Sequence, residues 1–285
     1  MQYYLMLISA AALLAVDFVI QKGFQKRTDG SAYDCLMFSF IFGVFETAIF
    51  FAANGFKLNF TPFTCIMGTA SSMLAVTYIM LGFYIMKSES VAYYTLFVMT
   101  GGMTLPYIWG LLFLDEEFSW LRTAGLVIIA AAIVILNLER KGSSFKLLLV
   151  CICVFFLNGT VSIISKEHQI RAVGVTEQDF IVYTGIARVV FAGIALLFTH
   201  KKVDLKKYNY KAILLVFASS IVAGVSFVLQ LIPAKYVSAT VVYPFITSGS
   251  IIFTALAGRI AYKERITKKT AIGLALCLVG TCMFL

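Results

Sequence analysis

The chain alternates between long apolar runs and short polar stretches along its whole length. The runs show no alternation of period two, and each is close to the roughly 20 residues that a helix needs to cross a bilayer. The pattern therefore predicts ten transmembrane helices, at about 3–21, 32–53, 62–86, 90–113, 119–138, 145–164, 178–199, 211–232, 236–258 and 267–285. Because the connections are short, we expect any function to reside between the helices.

Composition supports an integral membrane protein. Hydrophobic residues make up 61% of the chain and charged residues only 13%, against about 25% charged residues in soluble domains. The net charge of +9 comes from Lys and Arg in short loops, without the basic face and interleaved aromatics that nucleic-acid binding requires. Most of these residues lie in the odd-numbered loops, which are therefore predicted to be cytoplasmic.

The second half of the sequence repeats the first. A shift of 148 positions aligns KSESVAYYTLFVMTGG with KYVSATVVYPFITSGS, and a shift of 144 aligns Lys22 and Gln25 with Lys166 and Gln169. Each half then contains five spans, and an odd number inverts the second copy relative to the membrane. The prediction is two inverted five-helix repeats, residues 1–142 and 143–285, with a substrate site where the copies meet.

A short motif follows the fourth helix of each half: a glutamate, then a serine or threonine that opens a helix carrying glycine. It occurs as Glu116/Ser119/Gly125 and as Glu264/Thr267/Gly273. In this respect the chain resembles the EamA-type transporters of the drug/metabolite transporter superfamily. The resemblance implies an all-α membrane protein of ten helices in two inverted repeats. It also implies transport of small metabolites such as amino acids, sugars, nucleotide precursors or quaternary amines.

Three ionisable residues fall well inside predicted spans, where charge is costly and usually faces a cavity or a partner. They are Asp17, Glu46 and Arg188. One interpretation is a cation or proton site built from one or both carboxylates. The other is an internal ion pair between Glu46 and Arg188. Both remain open for Glu46, whereas Asp17 has no basic residue at a similar depth, which favours the functional interpretation for it.

Uncharged polar and aromatic residues add further candidates. Tyr94 and Tyr243 lie in the fourth and ninth helices, where ring faces could hold a cation. Asn158 and Gln230 are interpreted either as ligand contacts or as interhelical hydrogen-bonding groups.

Two prolines lie beside small residues in those same two helices. Pro106 accompanies Gly101, and Pro244 accompanies Gly249. A kinked helix with small residues suits close packing, and it also suits gating around a site.

The sequence contains no recognisable catalytic constellation, metal-ligand spacing or cofactor motif, and both histidines, His168 and His200, are expected in loops. We therefore predict a multi-pass secondary transporter of the inner (plasma) membrane, without cofactor or metal, acting as a monomer or homodimer. Its substrate is predicted to be a small cationic or zwitterionic metabolite, an amino acid or amine, moved by alternating access with proton exchange as one option. The alternatives are a neutral sugar or nucleoside-like substrate, or an intramembrane enzyme with Asp17 and Glu46 as its only candidate pair.

Overall fold

A computed structural model describes residues 2–138, 145–199, 207–263 and 268–283. Within these ranges all regular secondary structure is helical, and no strand occurs. The helices are α1 (Gln2–Arg27), α2 (Ala32–Ala53), α3 (Pro62–Ser88), α4 (Val91–Phe113), α5 (Trp120–Leu138), α6 (Phe145–Arg171), α7 (Glu177–Leu197), α8 (Tyr210–Tyr236), α9 (Ala239–Tyr262) and α10 (Lys268–Cys282). Glu264 and Thr267, from the second copy of the short motif, lie outside these ranges, and so does His200.

Eight helices in the described part of the chain are long and apolar enough to cross a membrane. The helices α5 and α10 contain shorter apolar stretches, Trp120–Ile129 and Ala271–Gly280. Because several separate helices have this character, the chain is an all-helical, multi-pass membrane protein.

Two helices extend well beyond their predicted ends. The helix α1 was expected to end near residue 21 and runs to Arg27, and α6 was expected to end near residue 164 and runs to Arg171. The prediction was wrong because Lys22 and Lys166 were taken as helix boundaries, whereas both are helical and buried. His168 consequently lies in α6 and not in a loop.

The helices α2 and α7 begin in the same way. Ser31 and Thr176 are their N-caps, and each forms a capping box with the aspartate three residues later, Asp34 or Asp179. Reciprocal bonds of this kind satisfy two backbone donors at a helix start and fix where the helix begins.

Each of these aspartates also binds the opposite half of the molecule. The Tyr208 hydroxyl, from the loop before α8, donates to Asp34 Oδ1 at 2.6 Å. Partial burial and this hydrogen bond raise the pKa of Tyr208, so that it remains a neutral donor. Asp179 accepts from Asn54 Nδ2 at 2.9 Å and from the Asn59 backbone amide at 3.1 Å. The starts of α2 and α7 are thus tied to loops from the other half.

The main helix contacts run between the two halves. The helix α2 packs on α7, α4 on α9 and α5 on α10, while α1 packs on α8 and α9 and α6 packs on α3 and α4. Exchanging α1–α5 with α6–α10 leaves this set of contacts unchanged. The packing of the described residues therefore has an approximate two-fold pattern.

The helix ends and the loop residues that the structure describes fall into two groups at opposite ends of the helix bundle. Numbering each loop by the helix that precedes it, we call these the odd-loop end and the even-loop end. Pairs that join neighbouring segments at the odd-loop end are Lys26–Tyr262, Asp29–Lys207 and Lys22–Glu89. Pairs at the even-loop end are Glu177–Lys235 and Trp109–Glu167.

Candidate functional site

A cavity of about 170 Å³ lies between the two halves. Eight helices contribute to its lining, with α5 and α10 outside the set. The lining is mixed, with rings such as Phe42 and Phe227 beside hydroxyls such as Ser71 and Ser72. Six of the seven predicted binding residues line it: Asp17, Glu46, Asn158, Arg188, Gln230 and Tyr243.

Asp17 lies on the α1 face of the cavity and is 4% exposed. Gln21, one turn further along α1, donates its Nε2 to Asp17 Oδ2 at 2.7 Å. The hydroxyl of Ser219 in α8 donates to Asp17 Oδ1. Both carboxylate oxygens thus accept hydrogen bonds from neutral groups, which fix the orientation of the side chain without neutralising its charge.

Glu46 in α2 and Arg188 in α7 both line the cavity and lie next to each other. Arg188 Nη1 lies 3.4 Å from Glu46 Oε2, and the Arg188 guanidinium carbon lies 4.5 Å from the ring centroid of Phe42. The ion pair, one of the two interpretations left open for Glu46, is therefore present. Among the described residues, however, Glu46 Oε2 and Arg188 Nε have no hydrogen-bond partner. The two groups are thus in ion-pair contact, and each partner keeps one atom without a hydrogen bond in the described part of the chain.

Close approach of α2 and α7 positions this pair. A Cβ on Gly43 would lie 3.0 Å from the carbonyl oxygen of Gly185, and a Cβ on Gly185 would lie 3.3 Å from the carbonyl oxygen of Gly43. Small residues at such crossings let membrane helices pack backbone to backbone. The reciprocal pair of glycines brings the α2 and α7 faces that carry Glu46 and Arg188 within ion-pair distance.

Asn158 and Tyr243 make interhelical hydrogen bonds at the edge of the cavity. Asn158 Nδ2 donates to the carbonyl of Val98 at 2.7 Å, and the Tyr243 hydroxyl donates to the carbonyl of Ser162 at 2.9 Å. Gln230 bonds within its own helix, to Ser226 Oγ at 3.1 Å. These residues therefore have a structural role as well as a surface in the cavity.

Tyr94 does not line the cavity. It is fully buried and packs edge-on against Phe18, with ring centroids 5.7 Å apart. Gly82 lies directly against its ring, and a Cβ there would be 2.6 Å from the Tyr94 hydroxyl oxygen. The structure thus places Tyr94 in the core behind α1.

Gly101 and Gly249 allow close helix packing away from the cavity. A Cβ on Gly101 would collide with the carbonyl oxygen of Phe155 in α6, and a Cβ on Gly249 would lie 2.8 Å from Ala11 Cβ in α1. These contacts join α4 to α6 and α9 to α1. Neither Pro106 nor Pro244 belongs to the cavity lining.

Several buried polar residues were missed by the sequence-based prediction. Lys22, Gln25, Lys166, His168 and Gln169 are each less than 8% exposed and lie at the ends of the bundle, beyond the cavity. Charge had been used to mark the helix ends, so these residues were taken for loop residues. The useful signal was the repeat itself, since it aligns Lys22 with Lys166 and Gln25 with Gln169.

His168 is one of these buried polar residues at the ends of the bundle. Its ring stacks on Phe180 with centroids 4.0 Å apart and on Phe63 at 6.0 Å, and its Nε2 lies 3.0 Å from Thr64 Oγ1. In the described residues no group of three or more His, Cys, Asp and Glu side chains could hold a metal ion. His168 is thus part of a packed layer at the even-loop end.

Comparison with known proteins identifies the family. Residues 145–285 match the EamA-like transporter family, which confirms the resemblance to the drug/metabolite transporter superfamily. One solved crystal structure of another protein superposes with a TM-score of 0.69 at 16% identity, over 99% of this chain and 96% of that chain. At this identity the match shows a shared fold alone. No curated protein matches the chain.

Proposed function

The chain belongs to the EamA-like transporter family, and from this premise we propose that it is a secondary transporter of a small cationic or zwitterionic metabolite. Transport proceeds by alternating access, with proton exchange at Asp17. The proposed location is the inner (plasma) membrane, as a monomer or homodimer.

The charge pattern of the cavity carries this proposal. Two carboxylates, Asp17 and Glu46, line the same cavity as one guanidinium, Arg188. Glu46 Oε2 and Arg188 Nε retain unused hydrogen-bonding capacity among the described residues. A ligand ammonium fits the carboxylates, and a ligand carboxylate fits Arg188. An anionic ligand would face two like charges, and a neutral sugar would leave desolvated charges unmatched, which is costly in a low dielectric.

Separate partners argue against the intramembrane enzyme. Asp17 is held by Ser219 and Gln21, whereas Glu46 opposes Arg188. A dyad of the aspartic-protease type, in which two carboxylates share one proton, would require the two carboxylates to interact with each other instead. The transporter therefore accounts for the contacts better.

The proposed architecture is ten transmembrane helices in two inverted repeats, residues 1–142 and 143–285. Equivalent helix pairs make equivalent contacts in the two halves. Thr247 Oγ1 donates to the carbonyl of Met99 at 3.1 Å, and these residues are equivalent under the shift of 148. Likewise the contacts Gly101–Phe155 and Gly249–Ala11 correspond to each other. These correspondences support a pseudo-two-fold axis that passes near the α4–α9 crossing.

Transport by purified protein in liposomes tests the proposal. A thermal-shift screen against amines, amino acids, sugars and nucleosides selects the ligand, because binding stabilises the folded state by mass action. We then expect uptake of a cationic or zwitterionic ligand that depends on the pH gradient. Selective stabilisation and transport by sugars or nucleosides would contradict the proposed substrate class, and conversion of the ligand without a gradient would indicate an enzyme.

Substitution of Asp17 tests the coupling role. Asp17→Asn retains size and polarity but cannot ionise, so we expect ligand transport to lose its pH dependence while the protein remains folded. Asp29→Asn is the matched control, because Asp29 pairs with Lys207 at the odd-loop end, outside the cavity. Wild-type rate and pH dependence in Asp17→Asn would refute the assignment.

A further inference from the structure

Two buried lysines lie in equivalent positions at opposite ends of the bundle. Lys22 in α1 is 7% exposed and Lys166 in α6 is 6% exposed, and the repeat aligns them. Each follows directly on a residue that lines the cavity, Gln21 or Ser165. A buried ammonium group is costly unless its donors are satisfied, so the groups that accept from these lysines are informative.

Lys22 reaches the turn between α3 and α4. Its Nζ donates to the backbone carbonyl of Glu89 at 3.1 Å, and Glu89 is the C-cap of α3. Gln25, two residues before the end of α1, donates Nε2 to the carbonyl of Phe83 at 2.5 Å. Both bonds hold the end of α1 against the end of α3 at the odd-loop end.

Lys166 makes the corresponding contact in the second half. Its Nζ donates to the carbonyls of Ala234 at 2.9 Å and Val237 at 3.2 Å, and Val237 is the C-cap of α8. Under the shift of 148, Val237 is the equivalent of Glu89. The same hydrogen bond is thus formed twice, once at each end of the cavity.

An aromatic ring lies two residues after each lysine and packs against other rings. At the odd-loop end the Phe24 ring packs on Phe38 at 5.1 Å and on Phe83 at 6.4 Å. At the even-loop end the ring at the equivalent position is His168, stacked on Phe180 at 4.0 Å. Each lysine contact therefore adjoins a layer of rings between the cavity and one end of the bundle.

We infer that Lys22 and Lys166 are paired latches, each of which closes one end of the cavity and must release its carbonyls for that end to open. This inference rests on the proposed alternating access. Opening the odd-loop end separates α1 from the α3–α4 turn and breaks the Lys22 bond, while Lys166 holds the other end closed. The second half of the cycle exchanges these roles.

The chemistry of the contact suits reversible opening. The acceptors are neutral carbonyls at helix C-termini, where the helix dipole favours a cation. A long lysine side chain at the end of a membrane helix can instead extend its ammonium group into water. Carbonyls in the closed arrangement and water in the open one both accept from the ammonium group, so the contact can open without leaving its donors unsatisfied.

Side-specific labelling of a cavity cysteine tests the latches. Ser72 lines the cavity, is 1% exposed and has no hydrogen-bond partner for its Oγ among the described residues, so Ser72→Cys is a conservative reporter. Oriented proteoliposomes are treated with an impermeant maleimide from one side or the other. Each lysine variant is also labelled without Ser72→Cys. The signal of this control comes from the native cysteines and is subtracted.

Lys22→Met should raise labelling from the odd-loop side by roughly tenfold, the population shift expected from loss of one charged hydrogen bond. Lys166→Met should do the same from the even-loop side only. Lys22→Gln and Lys166→Gln retain a weaker, neutral donor, so they should give intermediate increases in labelling. They replace the methionine variants in the assay if those do not fold. Lys26→Met is the matched control, because Lys26 contacts the Tyr262 ring and not the α3–α4 turn.

The sidedness of the effect decides the outcome. Increases from both sides in a single variant would indicate general loosening and overturn the inference, as would unchanged labelling in the methionine or glutamine variants. The measurement needs neither a substrate nor a gradient. Failure of the latch inference would appear in the labelling, whereas failure of the proposed substrate would appear only in the transport assay. The two failures can therefore be told apart.

Discussion

Because Glu46 and Arg188 form an ion pair, we expect variants that lack one or both charges to differ in their free energy of unfolding. At 3.4 Å between Nη1 and Oε2, and with an effective dielectric constant of about 20, the attraction is about 5 kcal/mol. Desolvation of both groups offsets much of this gain, so the net contribution of the pair is small. Removal of one partner, in contrast, leaves a buried charge without compensation.

Arg188→Gln should therefore be the most damaging change, because two carboxylates, Glu46 and Asp17, then share the cavity without a cation. We expect it to lower the free energy of unfolding by roughly 3–5 kcal/mol. Glu46→Gln should cost less, since Asp17 remains in the same cavity to balance Arg188. The double variant should be no less stable than Arg188→Gln alone.

Equilibrium unfolding in mixed micelles measures all four proteins of this double-mutant cycle. A coupling energy of at least about 1 kcal/mol is expected for charged groups in contact. Strict additivity of the two single changes would refute a direct interaction. Addition of the ligand found in the thermal-shift screen should stabilise the wild-type protein more than either single variant, because both charges are proposed to bind it.

Two further predictions concern packing and orientation. Gly101→Ala and Gly249→Ala should each destabilise the protein by roughly 1–3 kcal/mol, because a Cβ there overlaps a neighbouring helix. Gly193→Ala should be neutral or slightly stabilising, as its Cβ would meet only the Phe40 ring at 3.3 Å and alanine favours helix; equal unfolding free energies for all three would contradict the packing argument. In intact cells, a cysteine at Asp204, which lies outside the described residues, should resist impermeant thiol reagents. A cysteine at Lys57, exposed in an even loop, should react readily, and the reverse result would invert the proposed orientation.

Much of the fold could be predicted from sequence because a membrane helix is encoded by length and apolarity alone. The span predicted at 32–53 coincides with the observed α2 (Ala32–Ala53). The errors occurred where a polar residue belongs to the helix. Lys22 and Lys166 resemble boundary residues in a hydropathy pattern, but their hydrogen bonds to helix C-termini make burial possible.

The candidate site was partly predictable for a related reason. An ionisable residue within a span must face a cavity or a partner, and Asp17, Glu46 and Arg188 all line the cavity. Tyr94 shows the limit of this reasoning, because an aromatic ring has no charge that dictates where it lies. Its burial follows from the space left by Gly82, a tertiary contact that the sequence pattern does not contain. Ser219 was missed because a serine can lie anywhere along a membrane helix.

The lysine contacts at the two ends of the cavity are equivalent in the two halves, whereas the side chains that line the cavity differ. The proposed transport function explains this difference. Under the shift of 144, Asp17 is aligned with Val161 and Gln21 with Ser165, and all four line the cavity. The next residue in each helix is nevertheless a lysine bound to a C-cap carbonyl. In the proposed alternating access both ends of the cavity close in turn, which favours equivalent latches of the kind inferred for Lys22 and Lys166. One small ligand has no two-fold symmetry, so a cavity that binds it in a single orientation requires different side chains on its two sides. A carboxylate at the position equivalent to a valine supplies that difference, and we expect it to place the cationic group of the proposed ligand nearer to α1 than to α6.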